Sequence, residues 1–143
     1  MKNKYENVIK NLNKDKPILI LGSDNEIESC ISYIKNNKNE DKFVFDKNCK
    51  EITSVIVIKS LFGKIFYKII YNKLFDIYVI RDISFVEKFN GTMLEQEAVM
   101  DMLEELYLLN KTVILTGDFD IKYLNIIDNK LREYINKMYV IKI

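Results

Sequence analysis

Histidine is missing from all 143 residues of this chain. That absence excludes His-based catalytic triads, imidazole general bases and most zinc sites together. Cysteine is scarce. Cys30 and Cys49 are the only two, too few for a disulfide scaffold and not in a C-x-x-C pair, so reduced cytosolic thiols are expected. One proline and four glycines leave no linker, repeat or low-complexity tract. Charge of one sign is lacking too: 22 Lys and Arg stand against 21 Asp and Glu. Only a local patch can therefore draw the chain to nucleic acid or an anionic membrane. No apolar run approaches membrane-spanning length, and Met1–Glu6 has no secretory core. A cytoplasmic protein is the expectation. The length suits one domain that buries about two-thirds of its unfolded surface.

What is present is an alternation. Short aliphatic runs, read as strands, lie at Pro17–Leu21, Lys42–Phe45, Ile77–Arg81, Thr112–Thr116 and Met138–Ile143. Helical patterns fit between them. Asn25–Asn36 follows a Ser23/Asp24 cap region. Leu61, Phe62, Ile65, Phe66, Ile69 and Ile70 form an amphipathic stripe. Glu95–Leu109 sets Ala98, Val99, Met102, Leu103 and Leu106 on one face, and Asp128–Lys137 is a shorter helix. Ile52–Ile58 is ambiguous: β-rich in composition, yet placed where a helix is due. Strands alternating with helices indicate a parallel sheet covered on both faces, a three-layer α/β domain.

The turn after the first strand carries the chemistry. Gly22 to Ser29 has the frame of the phosphate loop G-x-x-x-x-G-K-[ST], as strand, eight-residue loop and helix. Gly22 and Ser29 hold the first and last positions, Ile27 replaces the second glycine, and Glu28 replaces the lysine. A carboxylate facing phosphate oxygens at ~4 Å is repelled by up to roughly 4 kcal/mol at an effective dielectric of about 20. Ile27 is β-branched and resists positive φ. Asp24 and Glu26 add further negative charge. The same stretch also fits an ordinary βα turn with no nucleotide ancestry.

Three later segments have a recognisable character. Asp76–Val86 resembles the Walker B segment of the bacterial replication initiator DnaA and its relatives, D-x-L-L-I-D-D-I-Q-F-L. Asn110–Asp118 resembles the family's sensor 1 strand, N-K-Q-I-V-L-T-S-D, and Asp128–Ile135 resembles its E-D-R-L-R-S-R-F. Tyr5–Ile9 is a fainter match to the F-D-N-F-V that opens the ATPase core. With Pro17–Ser29, the resemblance spans nearly the whole chain. It implies a P-loop NTPase-like AAA+ core with five parallel strands in the order 5-1-4-3-2, ending before the lid and the double-stranded-DNA-binding domain.

Within that resemblance the departures fall at the working positions. Arg81 stands where the magnesium-shell aspartate is expected, and a cation there repels Mg²⁺. Asp82 keeps the second acidic position, and Thr116 and Asp118 keep the sensor 1 polar groups. Tyr134 stands at the arginine finger. Most of the segment that packs around adenine is missing between Asn7 and Pro17. The reversed charges at Glu28 and Arg81 either pair with each other or each face solvent.

The resemblance thus implies a non-catalytic relative without cofactor, metal or ATPase activity. It would act as a protein-interaction module in replication initiation or its regulation, with the initiator or a related replication ATPase as partner. One alternative is single-stranded nucleic-acid binding through Lys64, Tyr67, Lys68 and Tyr71 on the outer side of a Lys59–Lys73 helix, although lysines there also fit a plain solvated face. Another is an inactive clamp-loader-like subunit.

Overall fold

The computed structural model describes residues 4–12, 16–37, 42–52, 75–88, 93–118 and 128–143. Runs that are apolar at consecutive positions have to be covered on both faces, and three such runs make the centre of the sheet. β1 (Ile18–Leu21) is buried throughout. β3 (Ile77–Arg81) is buried up to its last residue, and β4 (Thr112–Gly117) after its first. β2 (Val44–Asn48) and β5 (Tyr139–Lys142) close the edges. The order is β2-β3-β4-β1-β5 and every pairing is parallel. The five-stranded sheet expected as 5-1-4-3-2 is therefore present.

Alternate residues of the central strands feed two separate cores. Leu19, Leu21, Tyr78, Ile80, Val113 and Leu115 point to one face. There α3 (Met93–Leu108) contributes Val99, Met102, Leu103 and Leu106, and α4 (Asn129–Asn136) contributes Leu131 and Ile135. Ile18, Ile20, Ile77, Val79 and Ile114 point to the other face. There α2 (Asp24–Asn37) supplies Ile27, Cys30, Ile31 and Ile34. A short helix that the periodicity did not suggest, α1 (Glu6–Lys10), seats Val8 beside them. Cys30 and Cys49 are not joined in a disulfide and are buried in opposite cores.

The largest departure from the expected boundaries is in β2. β2 runs from Val44 to Asn48 instead of stopping at Phe45, because Asp46, Lys47 and Asn48 pair with Val79, Ile80 and Arg81 of β3. A polar sequence continues the strand because its neighbour supplies the ladder. Residues 49–52 are helical, so Ile52, the first residue of the ambiguous stretch, is in a helix; residues 53–58 and the whole Lys59–Lys73 segment lie outside the described residues. Among the described residues, no helix is long and apolar enough to cross a membrane.

The end of α3 is set by Asn110, whose φ of 59° is left-handed. Its N–H donates to the Tyr107 carbonyl, and the Lys111 N–H reaches back to the Leu106 carbonyl at 2.9 Å. This is the paired closure of a Schellman turn. Asn110→Gly is expected to hold or raise the melting temperature. Asn110→Val is expected to cost about 1–2 kcal/mol in urea unfolding, and equal stabilities would show that this turn does not fix the helix end.

Candidate functional site

The carboxyl ends of β1, β3 and β4 open onto a cleft, where ligands of open parallel sheets usually sit. Its volume is about 270 Å³, and its lining includes Asp24, Ile27, Glu28, Arg81, Asp82 and Asp118. Small-molecule sites usually run from about 300 to 1,000 Å³. This one is small and crowded with charge.

The expected eight-residue loop is not there. β1 ends at Leu21 and α2 begins at Asp24, so only Gly22 and Ser23 connect them. The Ser23 carbonyl accepts from the Ile27 N–H at 2.9 Å, and the Ser23 hydroxyl faces the Glu26 N–H at 3.3 Å. Backbone donors that would cradle phosphate in an open loop are thus engaged in starting a helix. Ile27 has a cause for its identity: it is buried in the core beside Ile31 and Ile34, so the helix, not an anion cradle, sets that position. Ser29 is exposed on the second turn of α2 and does not line the cleft. Gly22 is required by close packing, since a Cβ there would lie 2.8 Å from Ile143 Cγ1.

Arg81 is the centre of the site. Asn48 is its partner in the β2–β3 register, and its side chain meets Asp46 from the same strand. Nε donates to Asp46 Oδ1 at 2.8 Å and Nη2 to Oδ2 at 2.7 Å, a two-pronged pair. Nη1 donates to Glu28 Oε2. Lys35, seven residues beyond Glu28 on α2, donates to Asp46 Oδ2 at 2.6 Å. The result is an alternating chain, Glu28–Arg81–Asp46–Lys35, that ties α2 to two strands. Of the two arrangements open for the reversed charges, pairing is the one found.

The strengths within this chain differ. The side chains of Arg81 and Asp46 are 22% and 13% exposed, that of Glu28 63%. The hydrogen bonds it donates to Asp46, then to Glu28, hold the guanidinium above its usual pKa against the opposing effect of burial. Burial alone would raise the Asp46 carboxyl; hydrogen bonds from Arg81 and Lys35 outweigh it and hold it below the usual carboxylate value.

Beside this cluster, Asp82 has a φ of 58°, a conformation that aspartate tolerates better than most residues. Its N–H donates to the buried Thr116 hydroxyl oxygen at 3.1 Å, and the Ser84 hydroxyl donates to its carboxylate. The Walker B and sensor 1 positions are therefore linked directly, and Asp118 lines the same cleft. Tyr134 is remote from them. It packs against the α3 side of the sheet, where burial pushes its phenol well above the usual pKa. Lys64, Tyr67, Lys68 and Tyr71 lie outside the described residues.

The residues present do not suit a magnesium triphosphate. Asp24, Glu28, Asp82 and Asp118 line the cleft together with Arg81, and carboxylates repel phosphate oxygens as a guanidinium repels Mg²⁺. Among the described residues, no group of three or more Cys, Asp or Glu side chains is arranged to hold a metal ion. The buried Cys30 thiol is pushed up to about 11 by desolvation, which leaves it protonated and unsuited to act as a nucleophile. Asp46, Lys35 and Asn48 escaped the sequence reading because their strand and helix contacts are long-range. The unexpected polar run after Phe45 was the available signal.

Asp46→Asn is expected to cost about 2–3 kcal/mol in urea unfolding, because it removes the buried partner of a charge. Glu28→Lys should cost less, about 0.5–1 kcal/mol, since that arm is largely in water. A folded-state pKa held down gives stability that is present above the unfolded value and lost as pH falls. Asp46 thus contributes fully at neutral pH and fades below about pH 4. The Asn variant should show a shallower acid limb there; superimposable limbs would mean that Asp46 is not held by Arg81.

No protein-family model and no curated protein matches the chain. Solved structures do. Domain III of the Thermotoga maritima replication initiation protein DnaA superposes with a TM-score of 0.73 at 20% identity, over 97% of this chain and 59% of that one. AMPPCP-bound DnaA from Aquifex aeolicus gives 0.68 at 20% identity, over 97% and 44%. Replication initiator DnaA bound to AMPPCP and single-stranded DNA gives 0.70 at 20% identity, over 97% and 44%. The chain spans about two-fifths to three-fifths of the length of these structures. It has the fold of the DnaA AAA+ core.

Proposed function

We propose that this chain is a non-catalytic relative of the replication initiator's ATPase core, working in the cytoplasm as a protein-interaction module in replication initiation or its control. The Arg81–Asp46 pair carries the reading. A cation fixed by two hydrogen bonds at the metal position cannot be swung aside without stranding a buried carboxylate. Magnesium would have to displace it. With Glu28 in place of the lysine and Arg81 committed to Asp46 and Glu28, no cation among the described lining residues is left to stabilise charge on a transferring phosphoryl group. The DnaA fold supports a place among replication proteins by analogy, since a fold alone does not assign a function.

A second reading is single-strand binding. One of the structural neighbours is a DnaA bound to single-stranded DNA, and Lys64, Tyr67, Lys68 and Tyr71 have the lysine-and-aromatic character such contacts use. The two readings separate in the tube. A fluorescent oligonucleotide should respond only weakly to the chain, and a strong response that falls steeply with salt would favour the second.

Calorimetry with ATP and Mg²⁺ is expected to give no heat of binding, and an affinity in the micromolar range, about −8 kcal/mol, would overturn the loss of the nucleotide site. Capture from the native host with the tagged chain should enrich the full-length initiator or a related replication ATPase. Enrichment of neither would remove the proposed partner while leaving the calorimetric result standing.

A further inference from the structure

We infer that α1 is a strap that lifts from α2 while α2 and the sheet stay folded, with Glu26 as its latch. The inference does not rest on the proposed function. α1 packs on the face of the sheet that α2 covers. Its five residues are too few for a helix to hold by itself in water. Its backbone bonds close on its own turns. The Val8 N–H donates to the Tyr5 carbonyl at 3.0 Å, that of Asn11 to Val8 at 3.1 Å and that of Leu12 to Ile9 at 3.3 Å. Among the described residues, no backbone hydrogen bond joins residues 6–12 to the sheet or to α2. The helix is attached through side chains.

Val8 is fully buried, and Ile9 and Leu12 pack at the margin of the same core. Tyr5 makes the polar contact. Its hydroxyl donates to Glu26 Oε2 at 2.7 Å, and the Lys4 ammonium donates to the same oxygen at 2.6 Å. The Tyr5 ring centroid also stands 5.9 Å from that of Tyr33. Glu26, Cys30 and Tyr33 follow one another at i, i+4 and i+7 on α2, along one stripe of the helix. Tyr5 meets both ends of that stripe and is laid across Cys30. That thiol is fully buried and within electrostatic reach of both Glu26 and Lys4. The latch itself is wet. The Lys4 and Glu26 side chains are 62% and 38% exposed, so water replaces their bonds as they break. The strap is thus held by one carboxylate at the water's edge and by two buried side chains, Tyr5 and Val8. Segments held so sparsely open locally, at a cost below that of global unfolding.

Cys30 reports the lift. In the full chain carrying Cys49→Ala it is the sole thiol, and its reaction with dithionitrobenzoate is followed at increasing urea. Labelling is expected well below the unfolding transition, at a rate nearly independent of urea there, because lifting α1 exposes little surface. Tyr5→Phe takes the hydroxyl from Glu26 and should speed labelling about tenfold. Glu26→Gln should speed it about two- to threefold, since the amide oxygen still accepts from the phenol while the charge pair with Lys4 is lost. Val99→Ala, in the opposite core, should lower the urea midpoint and leave labelling without urea unchanged, because it weakens the seated and lifted forms alike. A rate that climbs with urea in step with global unfolding overturns the inference. So does one that Tyr5→Phe leaves unchanged, or that Val99→Ala raises as much. Hydrogen exchange in the unsubstituted chain tests the same point by another route. The amides of Val8, Asn11 and Leu12 should exchange faster than those of Cys30 and Ile31, and equal protection would mean that α1 opens only with the whole domain.

Discussion

Arg81 leaves the sheet at the carboxyl end of β3, where neighbouring chain takes much of its guanidinium out of water. An unpaired charge there would be costly, and a single exposed partner would repay little of that cost. The pair with Asp46 meets the need because it is two-pronged, planar and mostly shielded. Other features follow from it. β2 extends to Asn48 so that Asp46 can reach Arg81 from the same face of the sheet. α2 lies with Glu28 and Lys35 toward the cluster, two turns apart, one against each end of the charge chain. The cluster therefore fixes the seat of a helix as well as neutralising one residue.

The same arrangement defines what the cleft can do. In a phosphate-binding core the turn after the first strand stays open and its amides point at the ligand. Here the helix starts after two residues, its first amides are engaged by Ser23, and acidic side chains occupy its first turns. Closure and clamp support each other: an early helix start puts Glu28 within reach of Arg81, and Arg81 holds the helix against the strand ends. The Thr116 hydroxyl accepts from the Asp82 backbone N–H and the Asp82 carboxylate accepts from the Ser84 hydroxyl, so both side chains have a structural purpose of their own. If the cleft is inert, interest shifts to the outer surfaces. The apolar groove lined by Leu103, Tyr107 and Leu108 of α3 lies on the opposite side of the sheet from the clamp.

Much of this architecture was legible in the residues. Runs such as Ile18–Leu21 and Val113–Leu115 are apolar on both faces, which only a covered parallel sheet accommodates, and the stripe through Ala98, Val99, Met102, Leu103 and Leu106 names the face of its helix. The possibility that Glu28 and Arg81 pair could be posed from the motif frame alone. The dominant partner could not. Asp46 sits in a polar stretch that reads as the end of a strand, and its role depends on a register with β3 across 35 residues of sequence. The length of the turn after β1 was misjudged for a related reason. The spacing of Gly22 and Ser29 matches the frame of a phosphate loop, while helix initiation responds to local capping by Ser23 and to the burial of Ile27.

The sequence by itself determined the layers, which are set by periodicity and residue identity acting over one element at a time. The strand order, and the reading of Glu28 and Arg81 as charge reversals, came from the resemblance of its motifs to the initiator family. Only the tertiary structure decided that Glu28 and Arg81 pair directly while Asp46 takes the other side of the guanidinium, that a helix starts two residues after β1, and that Tyr107 and Leu108 line a groove. Each of those depends on which elements end up next to each other, and side-chain charge and shape acquire consequences only across such contacts.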